Sequence, residues 1–263
     1  MKLFLGNHKN LKIALTGFTG YIGTALSRNI DSGKIIDSLD DVEVDVVLHI
    51  GSPLSFMASD IARYVNTNIA LAEFVKRTKS KLFYFSTNNV YPLGVCYEDI
   101  EPEPSSIYAY TKLIAEEYFK NLIEGDCTIL RIGDVFGIGQ KHGNFFRFLE
   151  KATLEGSDFT LMGSGLKSRS QIWIEDLVTV VLELSCRKEL PMILNIATYE
   201  PLTNLAIVNS WENYFGRTAI RVEYPQEDTS IRQMLSLHPI ALLQKAPLDS
   251  LHKYFQSLEE ALA

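Results

Sequence analysis

The chain has 263 residues, of which 46% are hydrophobic and 22% charged, an ordinary composition for a globular protein with a sizeable core. Its formal net charge of -7 disfavours a nucleic-acid partner or an anionic membrane surface. The three cysteines, Cys96, Cys127 and Cys186, form no CxxC pair, so we expect neither a disulfide framework nor a zinc site. This cysteine content is typical of a protein in a reducing compartment.

The first fifteen residues, MKLFLGNHKNLKIAL, do not resemble a targeting segment. Polar residues interrupt the apolar run after residue 5, whereas a signal peptide needs a longer unbroken apolar stretch. Elsewhere, no run approaches the roughly 18 apolar residues of a transmembrane helix. We therefore expect a cytoplasmic protein without a membrane partner.

Short apolar runs alternate with helical patterns along the chain, which predicts a parallel sheet with right-handed helical crossovers. The predicted strands are Lys12–Leu15, Val46–Ile50, Leu82–Phe85, Thr128–Arg131 and Ile193–Ile196. The predicted helices are Tyr21–Ile30, Ile61–Lys76, Ser106–Leu122, Glu175–Leu184 and, as an amphipathic tail, Leu248–Leu262.

A glycine-rich turn, TGFTGYIG at residues 16–23, follows the first predicted strand. Gly17 permits a tight turn, Gly20 lets the backbone approach a pyrophosphate, and Gly23 lets the next helix pack closely on the sheet. The amino end of that helix attracts a diphosphate through its N–H groups and dipole. The pattern predicts a Rossmann-type, doubly wound α/β unit that binds a dinucleotide. Its predicted cofactor contacts are Gly17, Thr19, Gly20, Tyr21, Ile22 and Gly23.

The segment after this turn is unusually short. A Rossmann unit places an acidic residue about 20 residues on, at the end of its second strand, to hold the adenosine ribose. Asp37 lies at that distance, but only Ser38–Val44 separate it from the next strand. We expect the second and third strands to be stunted, or one to be absent. Asp37 is then either a ribose ligand, which would favour NAD over NADP, or an exposed turn carboxylate.

A strand and a helix carry the candidate catalytic residues. Thr87 follows the strand Leu82–Phe85, at the edge of the sheet where ligands bind. Its hydroxyl can bond the oxygen at the carbon that exchanges hydride, or merely cap a turn. Tyr108 and Lys112 form the only Tyr-x-x-x-Lys of the chain and share one helix face, with an axial rise of about 6 Å. The ammonium lowers the pKa of the phenol, so that Tyr108 can exchange protons near neutral pH.

Seven segments in chain order resemble the extended short-chain dehydrogenase/reductases of the NAD-dependent epimerase/dehydratase group. They are TGFTGYIG, VLHIGSP, YVNTNIALAEF, FSTNNVYP, YAYTK, LRIGDVFGIG and GSGLKSRSQIWIEDL. The resemblance covers roughly residues 12–203 and implies NAD as cofactor and a nucleotide-diphosphate sugar as substrate. It further implies a homodimer formed through the helix of Tyr108 and the helix before it. A small C-terminal lobe (141–170 and 199–263) would bind substrate, and residues 1–140 and 171–198 the cofactor.

By position, the resemblance makes Tyr108 the acid/base and Thr87 the hydroxyl that orients substrate. Lys112 would hold the nicotinamide ribose, and Arg169 would contact the substrate's diphosphate, for which a guanidinium fork is suited. Asn88 and Asp134 are the remaining predicted substrate contacts. No His, Cys or acidic cluster has metal-ligand spacing, so we expect no metal.

Two departures from the family pattern narrow the function. Where 4,6-dehydratases of the group carry an Asp-Glu pair, this chain has Asn88 and Asn89, and an amide cannot exchange a proton at neutral pH. A 4-epimerase or a 4-ketoreductase remains. Asp134 stands where the family commonly has Asn, and a carboxylate repels a diphosphate at close range. Either Asp134 turns away, or the substrate is not an ordinary nucleotide diphosphosugar.

Two other interpretations remain open. The chain could be a non-catalytic dinucleotide-binding sensor or interaction protein, although such a protein does not need a tuned phenol. It could also reduce a small uncharged carbonyl compound, in which case Arg169 would not contribute to substrate binding. His49 is interpreted as a hydrogen-bonded core histidine, since parallel strands are buried.

Overall fold

The computed structural model describes residues 2–38, 42–53, 55–123, 125–140, 144–224, 228–238 and 247–263. The chain divides into two units. The first comprises Met1–Pro92, Asp99–Ile132 and Val178–Asn195, and the second Leu93–Glu98, Gly133–Leu177 and Ile196–Ala263. Because this division rests on contacts within the chain and not on a bound ligand, the cofactor and substrate domains expected above stay a prediction.

Strands and helices are numbered in chain order. The strands are β1 (Leu3–His8), β2 (Leu11–Thr16), β3 (Asp31–Ile36), β4 (Val46–His49), β5 (Lys81–Thr87), β6 (Gly94–Cys96), β7 (Cys127–Ile132), β8 (Asp134–Phe136), β9 (Thr160–Met162), β10 (Ser168–Arg169), β11 (Gln171–Trp173), β12 (Ile193–Ile196), β13 (Leu202–Thr203), β14 (Ile220–Val222) and β15 (Ile231–Met234). The helices are α1 (Tyr21–Arg28), α2 (Ala58–Thr78), α3 (Ile107–Leu122), α4 (Phe145–Glu155), α5 (Ile174–Ser185), α6 (Asn204–Phe215) and α7 (Pro247–Leu262), with a 3₁₀ helix at Asn88–Val90.

The first unit is built on a seven-stranded sheet with the order β12-β7-β5-β4-β2-β1-β3. The neighbours β2, β4, β5 and β7 are parallel, and their apolar runs are buried because helices cover a parallel sheet. Helices α2 and α3 pack on one face through an apolar cluster that includes Leu71, Phe74 and Phe119. The predicted Rossmann-type α/β fold is confirmed, with every predicted strand present.

The N-terminal residues form a strand that the sequence analysis did not predict. Strand β1 pairs antiparallel with β2 through the two-residue turn Lys9–Asn10, and β3 pairs antiparallel with β1. A Rossmann unit would place its own second strand beside β2, after α1, but here the chain's first residues occupy that place. Among the described residues between α1 and β4, the segment supplies one strand, β3. Which of the two expectations holds, two shortened strands or one missing strand, stays a prediction, because residues 39–41 lie outside the described part of the chain.

The second unit has small sheets and an apolar cluster. A four-stranded sheet has the order β13-β10-β15-β6, and two further pairs are β11-β8 and β14-β9. Helices α4, α6 and α7 bury Leu149, Trp211 and Phe255 in one cluster. The predicted tail helix is confirmed as α7, although Leu248 and Leu262, at the two ends of the predicted range, are exposed.

Within the described part of the chain, no helix is both long and apolar enough to cross a bilayer. The same residues contain no group of three or more His, Cys, Asp or Glu side chains that could hold a metal ion. Cys96, Cys127 and Cys186 are free thiols.

Candidate functional site

The glycine-rich turn has the geometry of a phosphate-binding loop. Gly17 has a φ of +65°, in the left-handed region that favours glycine, and its carbonyl accepts a hydrogen bond from the N–H of Gly20 at 2.9 Å. A Cβ at Gly23 would lie 2.1 Å from the Gly17 oxygen and 2.6 Å from the Phe18 Cα. Helix α1 therefore approaches the loop more closely than any larger residue would allow.

The amino end of α1 is suited to an anion. Its N-cap, Gly20, provides no side-chain hydrogen bond, and the first turn has no acidic residue, so no carboxylate of that turn competes for its N–H groups. Thr19 and Gly20 are exposed, and Tyr21 and Ile22 are half-buried. A cavity of about 150 Å³ borders Gly17 and Thr16 and is also lined by Lys2, Gly51, Ser52 and Asp60.

A buried hydrogen-bond chain fixes the floor of this region. The Thr16 hydroxyl lies 2.6 Å from Nδ1 of His49, and Nε2 of His49 lies 2.8 Å from Oδ1 of Asn68. Since Oδ1 only accepts, Nε2 carries the proton and Nδ1 accepts from Thr16. Burial lowers the pKa of His49 to about 3, so the ring is neutral. His49 is thus the hydrogen-bonded core histidine that was predicted, whereas Asn68 on α2 was not singled out from the sequence.

Lys112 lies buried in the middle of the first unit, with 2% of its surface exposed. Its Nζ donates to the carbonyl of Gly51 at 2.9 Å and to that of Phe85 at 2.8 Å. It also lies 5.0 Å from the ring centroid of Tyr84 and 6.0 Å from that of Tyr64. Burial lowers the pKa of Lys112 to about 7, although the Glu116 carboxylate opposes that shift. The side chain can therefore change its protonation state near neutral pH.

The predicted catalytic residues lie on the elements that Lys112 connects. Tyr108 is half-buried in the first turn of α3, which begins after Ser106, whose hydroxyl accepts from the N–H of Ala109 at 3.2 Å. Thr87 ends β5, two residues after the Phe85 carbonyl that holds Lys112. The bond from Lys112 to Phe85 thus brings the end of β5 and the Tyr108 helix together, and the catalytic roles of Thr87 and Tyr108 stay a prediction.

The Thr87 hydroxyl has a local role in this structure. It accepts from the N–H of Asn89 at 3.2 Å and lies 3.4 Å from Oδ1 of Asn88, so that it caps the 3₁₀ helix. Thr87 is 7% and Asn88 1% exposed. The turn-capping alternative is therefore observed, and a role in substrate binding stays a prediction.

Sequence analysis missed a buried ion pair behind these residues. Glu116, one turn after Lys112 on α3, is fully buried, and Arg131 on β7 is almost so. Arg131 donates through Nη2 to Oε2 at 2.8 Å and through Nε to Oε2 at 3.1 Å, and the Ser86 hydroxyl donates to Oε1. The guanidinium carbon lies 4.7 Å from the ring centroid of Tyr91. The signal in the sequence that could have identified Glu116 is its spacing of four residues from Lys112, which places both on one helix face.

Two predicted substrate contacts lie in the second unit, around Ser170. The N–H of Asp134 donates to the Ser170 carbonyl at 2.9 Å, and the Asp134 residue is exposed. Arg169, the residue before Ser170, is half-buried and donates through Nη1 to the Ser230 carbonyl at 3.1 Å. The structure therefore brings Asp134 and Arg169 together.

Arg232 is a further cation of this cluster that sequence analysis did not identify. It is the register partner of Arg169 in the parallel pair β10–β15 and is 6% exposed. Burial and the neighbouring Arg169 lower its pKa, whereas the Asp134 carboxylate acts in the opposite direction. Asp134 therefore lies in the field of a guanidinium group, which offsets its negative charge.

Asp37 lies apart from the position that the ribose argument assumed. It is exposed and follows β3, the outermost strand of the sheet, with β1 between β3 and the phosphate-loop strand β2. Adjacent strands are about 4.8 Å apart, so Asp37 is roughly that much farther from the loop than a residue that ends a second strand beside β2.

Comparison with known proteins identifies the family. The model of the NAD dependent epimerase/dehydratase family matches residues 30–197. The chain belongs to this family. A curated relative, the uncharacterized UDP-glucose epimerase YtcB of Bacillus subtilis (strain 168), is 27% identical over 210 residues. That match covers 74% of this chain and 66% of YtcB, so the chain spans just under two thirds of this relative's length.

Solved structures of the family share the fold. A UDP-glucuronic acid 4-epimerase from Bacillus cereus, in complex with UDP-glucuronic acid and NAD, matches with a TM-score of 0.68 and 25% identity, covering 95% of this chain and 91% of that one. A UDP-N-acetylglucosamine 4-epimerase from the same organism has a TM-score of 0.76 at 17% identity, covering 95% and 98%. A UDP-glucose 4-epimerase from Thermotoga maritima has 0.71 at 20%, covering 95% and 99%.

Proposed function

We propose that this epimerase/dehydratase family member is an NAD-dependent 4-epimerase of a nucleotide-diphosphate sugar. The observation that carries the proposal is the Lys112 ammonium, buried on the Tyr108 helix and hydrogen-bonded to the carbonyls of Gly51 and Phe85. Burial lowers the pKa of this lysine to about 7, and a buried group with a shifted pKa is typical of acid–base chemistry, which a binding module does not need. The relatives' names support the substrate class, since they are epimerases of UDP-linked sugars.

The residues of the first unit fit a dinucleotide. Gly17, Gly20 and Gly23 shape a loop that a Cβ would block, and the α1 amino end is open to a pyrophosphate. Lys112 would hold the nicotinamide ribose. NAD, when bound, accepts and returns the hydride of the sugar carbon. NAD is the proposed cofactor because related structures contain it, with NADP as the alternative.

The chain's own residues would move the proton. The Tyr108 phenolate would accept the proton of the sugar C4 hydroxyl when C4 is oxidised, and would return that proton to the same oxygen when C4 is reduced again. The Lys112 ammonium stabilises that phenolate, because a neighbouring cation lowers the pKa of the phenol. Thr87 would hydrogen-bond the same sugar oxygen. Asn88 and Asn89 supply no acid or base for the elimination of water, which argues against a 4,6-dehydratase.

The diphosphate of the substrate would bind in the second unit. Arg169 and Arg232 place two guanidinium groups on neighbouring strands. The N–H donors of a guanidinium group form a planar fork that suits phosphate oxygens. Asp134 does not exclude an anion there, because the two cations outnumber its one negative charge. The cluster therefore favours a diphosphate substrate over an uncharged carbonyl compound.

The proposal is tested by turnover of UDP-glucose, UDP-N-acetylglucosamine and UDP-glucuronic acid. Tyr108→Phe should lower the rate by about 10²–10⁴-fold, the usual contribution of a general acid–base. Tyr110→Phe is the matched control, because Tyr110 is an exposed tyrosine of the same helix. Arg169→Ala should raise the KM for the UDP-sugar. Equal rates for Tyr108→Phe and Tyr110→Phe would refute the assignment.

A 4-ketoreductase is the second candidate function. It is favoured by the position of Asp37, the residue expected to hold the adenosine ribose. With β1 beside the phosphate-loop strand, Asp37 lies one strand outward, so a ribose contact there is weakened. A reductase must exchange its cofactor, whereas an epimerase retains it. Mass spectrometry of nucleotides released from the purified, denatured protein separates the two: retained NAD supports the epimerase, and an empty protein that consumes added cofactor supports the reductase.

We also propose that the protein is a homodimer in the cytoplasm, formed through α2 and α3. A groove of about 360 Å³ between these helices is lined by apolar residues. Several of these are exposed, namely Val65, Ile69, Ile107, Tyr110 and Ile114. An exposed apolar patch of this kind marks an interaction surface. The three free thiols suit a reducing compartment.

A further inference from the structure

The ion pair of Glu116 and Arg131 connects three elements that carry site residues. Glu116 lies four residues after Lys112 on α3, so the two share a helix face. Its carboxylate accepts from the hydroxyl of Ser86, which directly precedes Thr87 on β5. The same carboxylate is held by two bonds from Arg131 on the neighbouring strand β7.

Stability alone does not account for this arrangement. Removing two charges from water costs several kcal/mol per ion, and replacing a buried pair by apolar residues of similar volume is often neutral or stabilising. The neighbouring residues of α3, Ala115 and Phe119, and Ile129 of β7 belong to the buried apolar cluster of the first unit. A larger apolar core would have been the simpler solution for folding.

We propose that Glu116 is a positioning residue, which holds α3 in register with the end of β5 and keeps the Lys112 side chain in its ammonium form. This inference rests on the proposed function, because it assigns Glu116 a role in the same reaction. The Ser86 bond sets the distance between Thr87 and the helix of Tyr108 and Lys112. Arg131 and Ser86 hold the carboxylate in one orientation, since the guanidinium binds Oε2 through Nη2 and Nε and the Ser86 hydroxyl binds Oε1.

The charges around Lys112 support the electrostatic part of this role. The titratable groups around it are Tyr64 from α2, His49 from β4, Tyr84 from β5 and Glu116 from α3. Tyr108 lies one turn before Lys112 on α3, and Arg131 of β7 lies beyond Glu116.

Glu116 is the carboxylic acid among these groups. Burial raises the pKa of Tyr64 to about 12 and that of Tyr84 well above its usual value, so both phenols are neutral. His49 is neutral as well, because burial lowers its pKa to about 3. Burial also lowers the pKa of Lys112 to about 7, and the Glu116 carboxylate opposes that shift. Without the carboxylate, Lys112 would lose its proton below neutral pH.

The test compares Glu116→Gln with Glu117→Gln, the neighbouring exposed glutamate, which pairs with Lys120. NAD⁺ alone is the probe, and its dissociation constant is measured by protein fluorescence between pH 5.5 and 9. Because the ammonium would bind the ribose, affinity should fall as pH rises through the lysine's titration. For Glu116→Gln the midpoint of this fall should lie at least one pH unit lower than in wild type, whereas for Glu117→Gln it should be unchanged.

Turnover gives a second readout. With a UDP-sugar that the wild type converts, Glu116→Gln should lower kcat by about 10-fold or more and change KM by less than about 3-fold, since the residue touches neither substrate nor cofactor. If Glu116→Gln does not fold, the pair variant Glu116→Gln/Arg131→Met removes the orphaned cation and should fold. It should still show the lowered midpoint.

Three outcomes would overturn the inference. The first is a Glu116→Gln midpoint and kcat equal to those of Glu117→Gln. The second is a pair variant with the wild-type midpoint, which would make the ion pair purely structural. The third is a wild-type protein without affinity for NAD⁺, which would refute the proposed function itself and is recognised before any variant is made.

Discussion

Replacing Gly23 by alanine tests the phosphate loop most directly. The added Cβ would lie 2.1 Å from the carbonyl oxygen of Gly17 and 2.6 Å from the Cα of Phe18, both backbone atoms that cannot rotate away. Because ordinary contacts begin near 3.4 Å, the amino end of α1 must recede on the order of 1 Å in a tightly packed interior.

Overpacking of this kind costs about 1–3 kcal/mol, and the better helix propensity of alanine offsets about 0.5–1 kcal/mol. We therefore expect a net loss of roughly 1–2 kcal/mol, which lowers the Tm by roughly 3–6 °C in a protein of this size. The α1 N–H groups also move away from the pyrophosphate. Losing one hydrogen bond to a charged group weakens binding by about 1.5–3 kcal/mol, or about 10–100-fold in the NAD⁺ dissociation constant.

The assays are a thermal melt without cofactor and a fluorescence titration with NAD⁺. Gly20→Ala is the control, since its Cβ would meet the Gly17 oxygen at 3.2 Å and its φ of -78° suits alanine. Its Tm should remain near that of the wild type, while its NAD⁺ affinity falls, because Gly20 is a proposed contact of the pyrophosphate. If Gly23→Ala melts at or above the wild-type Tm and binds NAD⁺ equally well, the steric reasoning is wrong.

Two further predictions concern Lys112 and the α2–α3 groove. Burial lowers the pKa of Lys112 to about 7, so between pH 7 and about 10 the unfolded chain binds a proton that the folded chain lacks. The free energy of unfolding without cofactor should therefore rise with pH in that range. Urea denaturation at pH 7 and 9 measures this rise. Lys112→Met should reduce the difference between the two pH values, and the control Lys120→Met should leave it unchanged. Ile114→Glu should convert a dimer into a monomer in sedimentation velocity, whereas Ile35→Glu, at an exposed position on β3, should leave the dimer intact; a monomeric wild type would contradict the proposed interface.

Features that depend on local order could be predicted from the sequence. The phosphate loop joins a strand to the next helix within eight residues, and its glycines are required by contacts among Gly17, Phe18 and Gly23 themselves. Tyr108 and Lys112 share a face because a helix repeats every 3.6 residues. The parallel strands were predicted correctly because their apolar runs are continuous, as burial on both faces demands.

Other features depend on residues that meet only in the folded chain. Strand β1 was missed because its position depends on antiparallel pairing with β2. The sequence analysis expected a strand after α1 to occupy the position beside β2. Glu116 and Arg131 are fifteen residues apart, on a helix and a strand, and nothing local distinguishes either from a surface charge.

The second unit shows the same division between local and long-range information. Arg169 could be predicted because a family motif surrounds it, but its neighbour Arg232 comes from β15, more than sixty residues later. No periodicity connects two such positions, because strand register depends on which apolar faces are buried together. The chemistry of single residues can therefore be predicted from the sequence, whereas the pairing of their charges depends on the tertiary structure.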